Sequence, residues 1–205
     1  MAKFLIIRHG ETLWNRENRF QGSADIPLSD KGRAQARRVA VALADKPLDA
    51  IYSSPLSRAL DTAKAVAAEH SMDIQVMDDL QEINVGEWSG KTWAEIREMW
   101  PELEKNWRED PYTSGPPPGG EDYQDFQVRC INALDTIAAQ HTDSELVAIV
   151  CHGGVIRAVM RELLKLPGQS RGRIYSLNCS ITRMRWQAGG EVIIDGFNDA
   201  CHLED

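Results

Sequence analysis

Cysteine is scarce and scattered in this chain. Cys130, Cys151, Cys179 and Cys201 form no C-x-x-C pair, so they read as reduced thiols rather than a disulfide frame, and the expected compartment is the cytoplasm. Long apolar runs are missing as well. The most apolar stretch, Leu146–Cys151, is only a strand's length, which leaves no candidate for a membrane-spanning helix. The opening Met-Ala-Lys-Phe-Leu-Ile-Ile-Arg-His has too short an apolar part for a secretory signal and no small-residue cleavage site. There is no basic surplus: 31 acidic residues face 23 basic ones, for a net charge of −8. That argues against nucleic acid or a membrane surface as partner. A small anionic substrate stays admissible, because a local arginine cluster can dominate the field inside a cleft. No G-x-x-x-x-G-K-[ST] loop and no His/Cys/Asp group at metal-ligand spacing occurs. Neither P-loop nucleotide hydrolysis nor a dinuclear metal phosphatase is supported, and no cofactor is expected.

What the chain does have is a core-forming composition, 42% apolar and 26% charged over 205 residues, enough for a single domain spanning 1–205 with a sizeable insertion. Lys3 to Arg8 predicts a buried strand that ends on an Arg-His pair. Ser29 predicts an N-cap for a helix to about Ala44, with Ala36, Val39, Ala40 and Leu43 on one face. Ala50–Ser53 is a second strand. Ser54-Pro55 is expected to cap and open the next helix, whose stripe is Leu56, Ala59, Leu60, Ala63 and Ala67. Ile74 to Met77 is a third strand, followed by a loop holding Glu82. Residues 83–122, rich in Trp, Glu and Pro, are expected to form an inserted cap, with a helical segment from about Thr92 and a Pro-rich loop (Gly115 to Gly120) over the site.

Beyond it, Tyr123 to Gln140 predicts a long helix, Leu146–Cys151 a fully buried strand, and Val155 to Leu164 a further helix. Two alternating runs, Ser180 to Trp186 and Glu191 to Gly196, predict a hairpin through Gly189-Gly190. Strands alternating with helices imply an α/β fold, a three-layer α/β/α sandwich on a mostly parallel central sheet. Ligands in such sheets gather at the carboxyl ends of strands. His9 and His152 each follow a strand directly, so topology alone predicts a site there.

Phosphoryl transfer needs an in-line nucleophile, positive charge around the equatorial oxygens and a proton for the leaving group. A neutral imidazole can serve as that nucleophile, splitting one hard step into two. His9 has suitable neighbours: Arg8 beside it, Gly10 allowing a phosphate close to the backbone, and Asn15 offering an amide. For attack His9 must be neutral, and its second ring nitrogen is expected to donate to a backbone carbonyl.

The run Arg8-His9-Gly10-Glu11-Thr12-Leu13-Trp14-Asn15 resembles the signature of the histidine phosphatase superfamily, the phosphoglycerate mutase-like proteins. Gln21-Gly22, Leu28-Ser29-Asp30-Lys31-Gly32, Ser53-Ser54-Pro55-Leu56-Ser57-Arg58-Ala59 and Cys151-His152-Gly153-Gly154 follow in the family's order. The resemblance runs from about Lys3 to Leu164. It implies that His9 is phosphorylated, that Arg8, Arg58, His152 and Gly153 surround the phosphoryl group, that Asn15 supports the pocket, and that Gln21 and Gly22 lie close to substrate. By the same resemblance Glu82 is the proton donor, protonating the leaving alkoxide and then activating water. His152 is expected to donate to the phosphoryl group.

Mutases of the family follow the catalytic Glu with Arg and, two positions later, Tyr-Gly; here Ile83 and Val85 stand in those places. The paired mutase arginines in the insertion are also missing, Arg108 being a single one. The resemblance therefore favours the phosphatase branch, the α-ribazole, phosphoserine and broad-specificity types, acting on a small phosphorylated metabolite without metal. Phosphoglycerate mutase is the alternative, with Lys91 near its pocket region. A module that binds a phosphorylated ligand without catalysis is an alternative of another class. Elsewhere, His70 and His141 read as residues near helix C-termini and His202 as a surface residue. Trp88, Trp93, Trp100 and Trp107 read mainly as packing for the insertion, and Cys151 as a small buried residue. Monomer and homodimer both remain open.

Overall fold

A computed structural model describes residues 1–167 and 174–204. Six strands form one sheet in the order β3-β2-β4-β1-β5-β6. They are β1 (Ala2–Arg8), β2 (Ala50–Ser53), β3 (Ile74–Val76), β4 (Leu146–Cys151), β5 (Ile181–Trp186) and β6 (Val192–Asp199). The pairs β1·β4, β2·β4 and β2·β3 are parallel, while β1·β5 and β5·β6 are antiparallel. The expected mostly parallel α/β sheet and its late hairpin are both present. The helices are α1 (Leu13–Arg16), α2 (Asp30–Leu43), α3 (Ser57–His70), α4 (Trp93–Met99), α5 (Pro101–Glu109), α6 (Tyr123–Ala139) and α7 (Gly153–Leu163). Among the described residues no helix is long and apolar enough to cross a membrane.

The central strands alternate between two cores because successive side chains point to opposite faces. Phe4 and Ile6 of β1 join Val147, Ile149 and Cys151 of β4 on the face covered by α6 and α7. Leu5, Ile7, Ala148 and Val150 face the other way, onto Val39, Leu43, Ala63 and Val66 of α2 and α3. Burial on both faces explains why β1 and β4 read as continuous apolar runs rather than alternating ones.

The 83–122 segment is less separate than its composition suggests. Trp88, Ile96 and Trp107 are buried in the same apolar cluster as Phe4 and Phe126. Trp107 packs edge-on between Trp88 and Tyr123, at centroid distances of 5.5 and 5.9 Å. Trp93 and Trp100 lie partly buried against that cluster.

Two predicted boundaries shift. Helix α3 starts at Ser57 rather than at Ser54-Pro55, and its N-cap position, Leu56, has no side-chain cap. The Ser54 hydroxyl accepts from Leu56 N at 3.3 Å, ahead of the helix, and also contacts His152 at 2.8 Å. Helix α7 begins at Gly153, two residues before the expected Val155, so the first helical turn follows His152 without a linker.

Ser29 does cap α2, accepting from Gly32 N at 3.0 Å. It also pins that helix to the loop between β1 and α1 that carries His9: Ser29 N donates to Glu11 O at 2.8 Å and Ser29 Oγ to Glu11 Oε1 at 3.1 Å. A Cβ on Gly32 would meet Glu11 O at 2.0 Å, so only glycine lets α2 approach this closely. Gly32→Ala is expected to destabilise the protein by about 1–3 kcal/mol, the range for overpacking. At roughly 2–4 °C per kcal/mol for a chain of this size, calorimetry should show a lowered Tm. An unchanged Tm would mean that the helix can shift without cost.

Candidate active site

The parallel pairing of β1 with β4 places Arg8 opposite Cys151. The next residues of each strand, His9 and His152, therefore emerge side by side, and His9 N donates to Cys151 O at 3.0 Å. Their ring centroids are 5.1 Å apart, with the planes tilted by 58°. Both imidazoles are buried.

His9 Nδ1 lies 2.7 Å from Gly10 O. A carbonyl can only accept, so Nδ1 carries the proton and Nε2 keeps its lone pair on the cavity side. Burial, and then the charges of Arg58 and Arg8, push the His9 pKa well below its ordinary value, so the ring is neutral. His152 is held through Nε2 by Ser54 Oγ, which also accepts from Leu56 N at 3.3 Å. Among the described residues the Ser54 hydroxyl has no other acceptor for its own proton, so it donates to Nε2, and the proton of the neutral ring sits on Nδ1. His152 Nδ1 is buried with no hydrogen-bond partner. Its pKa is likewise pushed well down, by burial first and then by Arg58, His9 and Arg8.

Arg58, in the first turn of α3, is fully buried. Nη1 donates to Ala24 O at 2.6 Å and Nη2 to Gly22 O at 2.7 Å. Gly22 thus acts through its carbonyl, as a mount for Arg58, as well as through its place on the cavity wall. Burial lowers the Arg58 pKa to about 10, which leaves the guanidinium charged at neutral pH. Arg8 is oriented by its Nη1 bond to Ser176 O and by Tyr175, whose ring centroid lies 5.9 Å from Cζ. The Nε atoms of Arg8 and Arg58 are, like His152 Nδ1, buried donors without a partner. A buried unsatisfied donor costs about 1–3 kcal/mol. Three such groups around one cavity are matched by a ligand that is rich in acceptors.

Glu82 reaches the same cavity from the loop after β3. Its Oε2 accepts from Gly154 N at 2.8 Å and its Oε1 from Ile83 N at 3.0 Å. A Cβ at Gly154 would stand 2.0 Å from Glu82 Oε1, so the carboxylate can dock on the first turn of α7 only because that residue is glycine. Asn15 Oδ1 accepts from Thr12 N at 3.1 Å and Thr12 Oγ1 donates to Gln21 Oε1 at 2.9 Å, which ties both amides to the loop beyond His9. Arg8, His9, Asn15, Gln21, Gly22, Arg58, Glu82 and Gly153 all line one cavity of about 180 Å³, and His152 lies behind it against His9.

Several residues at the site were not singled out from the sequence. Asn178 donates to His9 O at 2.9 Å and lies 3.4 Å from Asn15 Oδ1. Thr62 Oγ1 accepts from Gly10 N at 3.1 Å and donates to Arg58 O at 2.7 Å. Arg157, Tyr123 and Tyr175 form part of the wall. Arg157 was recoverable, since it stands one turn after Gly153 on α7; Asn178 and Thr62 carry no local signal.

The remaining histidines lie elsewhere. His70 ends α3, and His141 contacts Tyr52 Oη at 3.1 Å and Glu145 at 3.3 Å. His202, expected on the surface, is half-buried, with Nε2 3.0 Å from Cys179 O. Burial raises the Cys151 thiol far above its ordinary range, which keeps it protonated and inert.

The two neutral histidines make stability depend on pH. Imidazoles of the unfolded chain titrate near about 6.5, whereas both native rings have depressed pKa values. Below that pH the unfolded state binds protons that the native state refuses, so stability is lost progressively as pH falls from about 6.5 toward the native values. Replacing His9 with Gln should flatten the slope of urea-unfolding free energy against pH in that window by up to about 1.4 kcal/mol per pH unit. An identical slope in the variant would refute the neutral native state of His9.

A model of the histidine phosphatase superfamily (branch 1) matches residues 4–199 of the chain. A metal-independent phosphoserine phosphatase of Arabidopsis thaliana is 33% identical over 99% of this chain and 84% of its own length. A 2,3-bisphosphoglycerate-dependent phosphoglycerate mutase 2 of Gloeobacter violaceus is 33% identical over 93% of this chain and 88% of its own. Among solved structures, Bacillus stearothermophilus YhfR superimposes with a TM-score of 0.91 at 35% identity, covering 100% of both chains. With the paired strand-end histidines, the two cavity arginines and a family match over nearly its whole length, the chain belongs to the histidine phosphatase superfamily.

Proposed function

We propose that the protein is a metal-independent phosphomonoesterase that hydrolyses a small phosphorylated metabolite through a phosphohistidine on His9. The observation that carries this reading is the tautomer of His9. A neutral ring with its proton fixed on Gly10 O offers an Nε2 lone pair to a cavity lined by Arg8, Arg58 and Glu82. In the first step Nε2 attacks phosphorus, and the bond to the leaving oxygen breaks as that oxygen takes a proton from the Glu82 carboxyl. In the second step the Glu82 carboxylate takes a proton from water, the resulting hydroxide oxygen attacks phosphorus, and the P–Nε2 bond breaks to release phosphate. Arg8, Arg58 and the Nδ1–H of His152 supply fixed positive charge and donors to the equatorial oxygens in both steps.

The cavity volume of about 180 Å³ lies below the ~300 Å³ at which pockets for drug-sized ligands begin, which suits a compact phosphomonoester. Hydrolysis is favoured over transfer by the residues after Glu82. Ile83 and Val85 line or border the cavity with apolar side chains, where the mutase pattern places Arg and Tyr. The identity to a phosphoserine phosphatase supports the same choice, and the equal identity to a mutase makes transfer the second reading. The four free cysteines suit a cytoplasmic location.

Phosphate release from a panel of phosphomonoesters, measured with EDTA present, tests the reaction. His9→Ala is expected to remove release, by about 10³-fold or more, without loss of the folded circular dichroism spectrum. Unchanged release would overturn the nucleophile, and restoration by added metal after EDTA loss would overturn the metal-free mechanism. Bisphosphoglycerate-dependent transfer without hydrolysis would select the mutase, and tight phospho-ligand binding with neither reaction would select the binding module. In single-turnover kinetics, Glu82→Gln should slow phosphoryl transfer from alkyl phosphates to His9 by about 10²–10⁴-fold and from p-nitrophenyl phosphate far less, because that leaving group needs little protonation. Equal losses on both substrates would remove Glu82 as the acid.

A further inference from the structure

Arg157 is a cation in the cavity wall that the reaction scheme does not use. It stands one helical turn after Gly153 on α7, and residues at that spacing share a face with Cβ atoms about 5–6 Å apart. The Gly153 end of that face is against Arg8: a Cβ there would lie 3.2 Å from Arg8 Nε. Arg157 is half-buried and lines the cavity, and its Nε donates to Ile174 O at 3.4 Å, a bond that leaves both Nη groups uncommitted. No carboxylate of the described residues pairs with it. The other outlying arginine of the wall differs in this respect, because Arg19 is matched by Glu17 at 2.9 Å and Glu95 at 3.2 Å. Arg157 also stands close enough to Arg8 for their charges to repel, one of the forces that lower the Arg8 pKa after burial itself.

Charge counting across the reaction points the same way. Three unmatched guanidinium groups, Arg8, Arg58 and Arg157, line the cavity, and Glu82 is the one carboxylate among its lining residues. In the state that reacts, Glu82 holds its proton and both histidines are neutral. A phosphomonoester dianion then neutralises two of the three cations. We infer that Arg157 is a specificity-determining residue that binds a second anionic group of the substrate, a carboxylate carried a short chain away from the phosphate. The planar Nη fork suits bidentate recognition of a carboxylate. The apolar surfaces of Ile83, Val85 and Trp107 would pack the few carbons between the two anions. This assignment rests on the phosphomonoesterase reading.

The test compares substrates that differ in the carboxylate alone: O-phosphoserine against O-phosphoethanolamine, and 3-phosphoglycerate against glycerol 3-phosphate. The wild-type enzyme is expected to prefer the carboxylate member of at least one pair by about tenfold or more in kcat/KM, the size of one charge-assisted contact. Arg157→Gln should collapse that ratio toward one, mainly through KM, and Arg157→Lys should recover part of it. A thermal melt of each variant separates a folding defect from a binding one, and the ratio within one preparation is independent of the folded fraction. If Arg157→Gln lowers both members of a pair equally, Arg157 is a third phosphate clamp and the assignment is overturned. A wild-type enzyme that hydrolyses both members equally well also overturns it, leaving the phosphatase reading intact. Absence of hydrolysis of any phosphomonoester would instead strike the phosphatase reading itself.

Discussion

The register between β1 and β4 is the constraint on which the rest of this site depends. Parallel strands of equal reach end at the same height, so Arg8 lies opposite Cys151 and the residue after each strand enters the same space. A shift of one residue would turn the side chains of either strand to the opposite core. Alternation of Phe4, Ile6, Val147 and Ile149 toward α6 and α7, against Leu5, Ile7, Ala148 and Val150 toward α2 and α3, makes such a slip costly. The hydrophobic core therefore sets the 5.1 Å separation of the His9 and His152 rings. The loops that follow the strands refine that geometry rather than create it.

Around this pair the structure accumulates positive charge in a protein whose net charge is −8. Burial disfavours the charged form of every basic group here, yet the outcomes differ by residue type. The imidazoles give up their protons, while Arg58 stays charged even with its pKa lowered to about 10. One electrostatic environment thus yields a neutral imidazole with a free lone pair and charged guanidinium groups together. The result follows from the intrinsic distance between imidazole and guanidinium pKa values, and no special partner is required for either.

Much of this arrangement was legible in the chain, for reasons that differ by element. Lys3 to Arg8 and Leu146–Cys151 announced themselves because strands buried on both faces become continuous apolar runs. Ser29 was legible because capping is local chemistry, and the motifs around His9, Arg58 and His152 carried the family resemblance. What failed was the role of Ser54. Its hydroxyl does accept from Leu56 N, but α3 starts only at Ser57, and the same hydroxyl also holds His152, almost a hundred positions away in the chain. Asn178 and Thr62 were missed for the same reason, since each acts on backbone atoms brought near only by the folded sheet. The 83–122 segment read as foreign to the core because its aromatic residues lack helical or strand periodicity. They pack against one another edge to face, a pattern that linear spacing does not encode.

Trp107 has a double position, at the centre of that aromatic packing between Trp88 and Tyr123 and at the wall of the cavity. A residue with both duties is hard to exchange, because any new shape for the substrate side would open or overfill the core on the other side. Arg157, Tyr175 and Arg19 also border the cavity but are half-buried or exposed. Divergence toward new substrates is thereby channelled to these more exposed wall residues, while the part of the wall shared with the core is inherited with the fold.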